Sequence, residues 1–226
     1  MLIPDYFDVF TRPVHINPAT TALVLVDLQY ASGSRYHGLG VLLTKQGKIE
    51  NAKYRFDRIE QLVVPNSRKL LEAFRKAESR IIFITLGCEL PDYSDAPAHM
   101  KSFFMALRNT CGNREHEIID ELKPLPGELI INKRTQGAFA SSGIETVLRA
   151  LHVKSLVIVG ISTNNCVETT AREASDRGFG VVLVSDATGT DSEEMQKLTL
   201  RGFSRLWGRV ASTDEVISEL YSEKSS

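Results

Sequence analysis

Residues 156–172, reading LVIVGISTNNCVETTAR, constrain this chain more than any other stretch. A run of β-branched residues and leucine, Leu156 to Val159, ends at Gly160. A short polar loop, Ile161 to Asn165, follows, and Cys166 then opens an amphipathic helix. A cysteine there lies in the first helical turn, where unpaired N–H groups and the helix dipole favour its thiolate. Backbone donors around it can also hold a developing oxyanion. A buried, inert cysteine is the plain alternative.

The same alternation runs through the chain. Strands read at about 22–26, 80–86, 128–132, 155–160, 180–185 and 209–212, and helices at about 65–78, 113–121, 142–152, 165–177, 192–206 and 214–222. A charge-rich helix from Lys48 to Gln61 is added to these. Ser142 with Glu145, and Asn165 with Glu168, have capping-box spacing. The expected fold is α/β: a three-layer α-β-α, Rossmann-like arrangement of a six-stranded, mainly parallel sheet with helices on both faces. One domain spans 1–226. Residues 1–19 read as an arm whose Ile3, Tyr6, Phe7, Val9 and Phe10 pack on the domain or on a neighbouring subunit.

Composition removes several function classes. At 226 residues and 42% hydrophobic content the chain buries one sizeable core. A net charge of −1, with no lysine/arginine run, offers no field for nucleic acid. No apolar stretch reaches the ~18 residues of a membrane span. The N-terminus carries early acids rather than a basic signal sequence. Cys88, Cys111 and Cys166 are odd in number and lack CxxC spacing, which reads as free thiols in a reducing cytoplasm. No GxGxxG or P-loop appears, since Gly137 and Gly143 have the wrong spacing.

Two further strands end in reactive residues. Ala22 to Val26 is a continuous apolar run that stops at Asp27, and Glu128 to Asn132 stops at Lys133. Asp27, Lys133 and Cys166 thus each stand at the carboxyl end of an expected strand, where open α/β folds place their sites. Singly, Asp27 reads as a loop cap and Lys133 as a solvated charge. Together they are harder to dismiss.

At these residues the chain resembles the isochorismatase-like cysteine hydrolases, which include nicotinamidases and N-carbamoylsarcosine, ureidoacrylate, biuret and maleamate hydrolases. The resemblance is carried by LVLVDLQ at 23–29, INKRTQGAF at 131–139 and GISTNNCVETTAREASDRGF at 160–179. It implies Asp27, Lys133 and Cys166 as a catalytic triad, and the backbone N–H groups of Ser162 and Cys166 as an oxyanion hole. It also implies a cis peptide before Ser162 and a homo-oligomer, dimer or tetramer. The implied activity is hydrolysis of a linear C–N bond in a small amide, ureido or carbamoyl compound, with no cofactor. A non-catalytic binding or scaffold relative is the alternative, as is a nicotinamidase or isochorismatase activity.

The nicotinamidases of that family hold a metal through an aspartate and two histidines after the second strand. Here that segment lacks the Asp-x-His spacing, and His99 stands alone, so no metal is expected. Substrate-binding candidates are Gln29, Tyr30, Arg35, Tyr36 and Phe139, with His37, because the stretch from Tyr30 to Gly40 follows Asp27 directly. Arg35, Arg134 and Arg172 are candidate carboxylate anchors. The acidic stretch from Asp186 to Glu194 reads as helix capping by Asp191, with Glu193 and Glu194 favouring the dipole.

Overall fold

The expected alternation is present as one six-stranded sheet in the computed structural model, which describes residues 13–222. The strands are β1 (Thr21–Val26), β2 (Arg80–Leu86), β3 (Leu129–Lys133), β4 (Ser155–Ile161), β5 (Gly180–Gly189) and β6 (Arg209–Ala211). They lie in the order β3-β2-β1-β4-β5-β6, with every neighbouring pair parallel. The chain builds outward from β1 to β3, then returns to the other side of β1 to start β4. The winding therefore reverses between β1 and β4, and their carboxyl ends open a crevice of the kind in which such sheets bind ligands.

Four helices, α1 (Tyr30–Gly33), α2 (Gly38–Lys45), α3 (Lys53–Arg58) and α4 (Val64–Lys76), lie between β1 and β2. The later crossovers carry α5 (Ala98–Leu107), α6 (Ile144–Ala150), α7 (Glu168–Asp176) and α8 (Glu193–Ser204), and α9 (Thr213–Ser222) follows β6. Successive strand residues point to opposite faces. Leu23 and Leu25 of β1 accordingly join Phe56, Leu70, Phe74 and Leu220 from α3, α4 and α9. Val24 and Val26 join Phe104, Leu148, Ala171 and Phe203 from α5 to α8. Burial on both faces is why β1 and β4 read as unbroken apolar runs. Among the described residues no helix is long and apolar enough to cross a membrane.

The structure departs from the sequence reading in several places, among them α1 and α2, which occupy a stretch where no helix was expected. The helix expected at 113–121 is two short 3₁₀ turns, Arg114–His116 and Asp120–Leu122. Helix α5 was not expected, although Met100, Phe104 and Leu107 have helical spacing and are buried. The helices expected at 48–61 and 65–78 form one continuous run through a π turn, Ile59–Val63, in which the Val64 N–H bonds back to Ile59. That wide turn lets Pro65, which has no N–H to give, sit in the run without breaking it. Finally, Ser142 and Glu145 form no capping box: Ser142 Oγ donates to the Ala138 carbonyl at 2.7 Å, and Glu145 pairs with Arg149 and Arg177. Of the expected arm, Val14 and Ile16 are buried on the α4/α9 face, while Ile3, Tyr6, Phe7, Val9 and Phe10 lie outside the described residues.

Gly160 sets how closely β1 and β4 meet at the crevice. It pairs with Val26, has φ +125°, and a Cβ there would fall 2.0 Å from the Val26 carbonyl oxygen. Only glycine tolerates both demands. Gly160→Ala is expected to destabilise the fold by at least about 3 kcal/mol, from combined backbone strain and overpacking. Chemical denaturation of the two proteins measures the difference, and a loss within error of zero refutes the close approach.

Candidate active site

The Lys133 Nζ donates to Asp27 Oδ2 at 2.9 Å and to the Thr135 carbonyl at 3.0 Å. Asp27 directly follows β1 in the left-handed region, φ 54°, a conformation uncommon for any residue but glycine, while its N–H still bonds to the Ile84 carbonyl of β2. Lys133 is the last residue of β3, two positions away in the sheet, so its side chain reaches past the end of β2 to meet the carboxylate. The pair is sealed, with Lys133 0% and Asp27 2% exposed. The second carboxylate oxygen, Asp27 Oδ1, is buried with no hydrogen-bond partner in strict geometry among the described residues, although the carboxylate lies close enough to the Cys166 thiol to interact with it.

Cys166 lies opposite on the β4–α7 connection, buried, with its thiol donating to Gln136 Oε1 at 3.1 Å. The expected cap at Asn165 is not formed. Residues Thr163–Val167 make a π-type turn in which Asn165 is non-helical, with φ −123° and ψ −105°, and α7 starts only at Glu168. Asn165 N–H and Val167 N–H both donate to the Ser162 carbonyl, at 3.0 and 3.2 Å, which folds the turn tightly around Cys166. The Ile161–Ser162 peptide bond is cis. Glu168 pairs with Arg172 instead of capping.

Electrostatics differ from the sequence expectation of a stabilised thiolate. Burial first, and the neighbouring Asp27 carboxylate second, push the Cys166 thiol well above its ordinary range, while Lys133 pulls the other way. Burial also raises the Asp27 pKa, with Lys133 opposing. Burial works against the Lys133 ammonium, but the charge of Asp27 holds its pKa up. Burial and the neighbouring carboxylate thus favour the thiol over the thiolate at Cys166, beside the buried Lys133–Asp27 pair.

A cavity of about 370 Å³ opens onto Asp27 and Cys166. Its walls include Ser32, Arg55, His99, Ser162 and Asp191, with Leu39, Met100 and Phe103 supplying apolar surface. Sequence reasoning missed Arg55, which lies in the charge-rich helix that reads as solvated. It also missed Gln136, whose Nε2 donates to Met100 Sδ at 3.2 Å while its Oε1 accepts the hydrogen bond from the Cys166 thiol. Among the described residues no group of three His, Cys, Asp or Glu side chains is gathered to hold a metal ion.

The expected substrate-binding residues are not brought to this cavity. Gln29 is a clamp between β1 and β2: it accepts from Leu86 N–H at 2.8 Å and donates to the His116 carbonyl at 2.7 Å. Tyr30, Arg35 and Tyr36 line a separate cavity of about 620 Å³, because α1 carries the chain away from Cys166. The Tyr30 hydroxyl there takes the Asp120 N–H, Arg35 pairs with Asp57 and Glu60, and Tyr36 is 78% exposed. His37 packs on the Tyr30 ring. Phe139 is buried against Phe179 in the core. Arg134 and Arg172 pair with Glu89 and Glu168. Asp191 does not cap α8; Ser192 does, and Asp191 pairs with Arg55.

Comparison with known proteins agrees with this architecture. A sequence family described as "Isochorismatase domain" matches residues 21–215. A ureidoacrylate amidohydrolase of Agrobacterium fabrum is 28% identical over 222 residues, covering 90% of this chain and 91% of the relative. The crystal structure of a cysteine hydrolase from Pseudomonas syringae superposes with a TM-score of 0.78 at 25% identity, covering 93% of this chain and 96% of the other. An N-carbamoylsarcosine amidase from Thermoplasma acidophilum shares the fold, with a TM-score of 0.64 at 22% identity over 86% and 97% of the two chains.

A neutral resting thiol has a measurable signature. Thiolate absorbance, taken as the difference between the wild type and Cys166→Ala, is expected to appear only above the ordinary thiol range. Asp27→Asn removes a neighbouring anion and is expected to lower the Cys166 pKa, whereas Lys133→Ala is expected to raise it further. A wild-type Cys166 already ionised below neutral pH refutes this ordering.

Proposed function

The chain belongs to the isochorismatase family of hydrolases, and on that premise we propose that it hydrolyses a linear C–N bond of a small amide, ureido or carbamoyl compound with Cys166 as nucleophile. The observation that carries this reading is the sealed Lys133–Asp27 ion pair sharing one crevice with the Cys166 thiol. A neutral thiol is a poor nucleophile and needs a base in place. Asp27, with its raised pKa, its closeness to the Cys166 thiol and a buried oxygen that has no partner among the described residues, is suited to take the thiol proton. Lys133 holds the carboxylate in position and offsets the negative charge that builds as sulfur attacks.

The steps follow from these groups. Asp27 accepts the thiol proton as the S–C bond forms at the substrate carbonyl. The carbonyl oxygen becomes an oxyanion, held by the backbone N–H groups of Ser162 and Cys166. The C–N bond then breaks, Asp27 returns the proton to nitrogen, and ammonia or an amine leaves. The remaining thioester or thiocarbamate is attacked by water, which gives its proton to Asp27. The S–C bond breaks, and the thiol recovers that proton. The Agrobacterium relative named for ureidoacrylate supports a ureido or amide substrate.

Cys166→Ala is expected to abolish ammonia release across a panel of ureido acids, biuret-like compounds, carbamoyl amino acids and small amides, while leaving thermal stability nearly unchanged. Turnover near the wild-type rate in that variant sinks the proposal. Asp27→Asn and Lys133→Ala are each expected to lose roughly 10³-fold in rate, and the double variant little more, because groups acting as one unit are non-additive. Multiplying losses in steady-state assays of the three proteins separate the pair into independent groups and contradict this mechanism.

A further inference from the structure

Among the described residues, the wall of the Cys166 cavity carries one permanently charged cation, Arg55 of α3. The residue is 5% exposed and its guanidinium is held from three sides. Nη1 donates to Ser162 Oγ at 2.8 Å and to Asp191 Oδ1 at 3.0 Å, and Nη2 donates to the Ser32 carbonyl at 3.1 Å. Two of these acceptors are neutral. The third, Asp191, meets a single guanidinium nitrogen, and its side chain is 57% exposed.

That is weak pairing for a buried guanidinium. Arginine in a dry site ordinarily takes a carboxylate through two parallel hydrogen bonds, and a buried charge left short of partners is costly. Here Nε is buried with no acceptor among the described residues. The contrast within the molecule is direct. Arg35 engages two carboxylates, and Arg75 grips Glu128 through both Nε and Nη2, at 2.8 and 2.9 Å. Neither of those lines the cavity.

We propose that Arg55 is the specificity-determining residue of this cavity, binding a carboxylate carried by the substrate. The compound hydrolysed is then a small ureido or amide acid, rather than a neutral urea or amide. This rests on the hydrolytic reading given above and adds the charge of the substrate to it. Asp191 is the competing anion: it occupies one nitrogen of Arg55 from the solvent side and gives way when a second carboxylate enters. Because Nη1 also donates to Ser162 Oγ, the anchored carboxylate is tied to the loop assigned to the oxyanion.

The test uses a matched pair of probes, 3-ureidopropionate and its neutral amide, titrated calorimetrically into full-length Cys166→Ala protein so that turnover does not intervene. The acid is expected to bind at least tenfold more tightly than the amide. That preference is expected to vanish in Cys166→Ala/Arg55→Gln and to persist in part in Cys166→Ala/Arg55→Lys. If the glutamine variant does not fold, Cys166→Ala/Asp191→Asn, altered at a half-exposed position, carries the test. Removing the competing anion is expected to tighten the acid several-fold and leave the amide unchanged. Equal affinity for the two probes, or no binding of either, overturns the proposal. So does a loss of acid binding in the Asp191→Asn variant, which makes the Arg55–Asp191 pair a structural strut. Ammonia release by the intact enzyme is scored separately. A protein that prefers the acid through Arg55 yet turns over nothing loses the hydrolytic reading and keeps this one.

Discussion

The rest of the site depends on a buried ion pair that is expensive to make. Removing an ammonium and a carboxylate from water costs several kcal/mol per ion, and their mutual attraction offsets it only in good geometry with further hydrogen bonds. Lys133 meets that condition through Asp27 and the Thr135 carbonyl, whereas one Asp27 oxygen has no hydrogen-bond partner among the described residues. The imbalance is informative. A purely structural pair gains by satisfying both oxygens, while a carboxylate that must receive a proton needs one free. The pair also fixes relative position, since Lys133 bridges from β3 to β1 past the end of β2.

Placement at the reversal of winding gives the pair its consequences. β1 and β4 are hydrogen-bonded neighbours whose following segments diverge, so Asp27 and the Ser162–Cys166 turn face one another across the opening. The left-handed backbone of Asp27 and the glycine at 160 are local departures from regular strand geometry at that point. The price of the arrangement is a thiol that burial and a nearby anion push toward its neutral form, which is why the proposed mechanism starts with proton transfer to Asp27.

Two π turns shape the walls. One, at Ile59–Val63, lets the long helical run carry Pro65 and continue as α4. The other, at Thr163–Val167, presents Cys166 ahead of α7 rather than within it. The first widens the helical ring by one residue, whereas the second is broken at the non-helical Asn165 and closed by hydrogen bonds to the Ser162 carbonyl. The segment between β1 and β2 contributes Ser32, Leu39 and Arg55 to the cavity, whereas Tyr30, Arg35 and Tyr36 face a different one.

Strand positions were legible from residues alone because burial on both faces leaves an unbroken apolar run, as at Ala22 to Val26 and Leu156 to Val159. Asp27 stands where such a run stops, whereas Lys133 ends an edge strand whose Leu129 and Ile130 are exposed and Cys166 lies in the turn beyond β4. Local sequence did not reveal side-chain direction across the loops. Gln29 and Tyr30 are close to Asp27 in the chain, yet one clamps β2 and the other turns to a separate cavity. Arg55 carries the opposite lesson. Its neighbours Lys53, Asp57 and Arg58 make it look solvated, and only the packing of α3 against the β4 and β5 ends buries it beside Ser162 and Asp191. Periodicity records how much of a residue is buried on its own element. Which distant segments meet it, and with what charge, is decided by the tertiary fold.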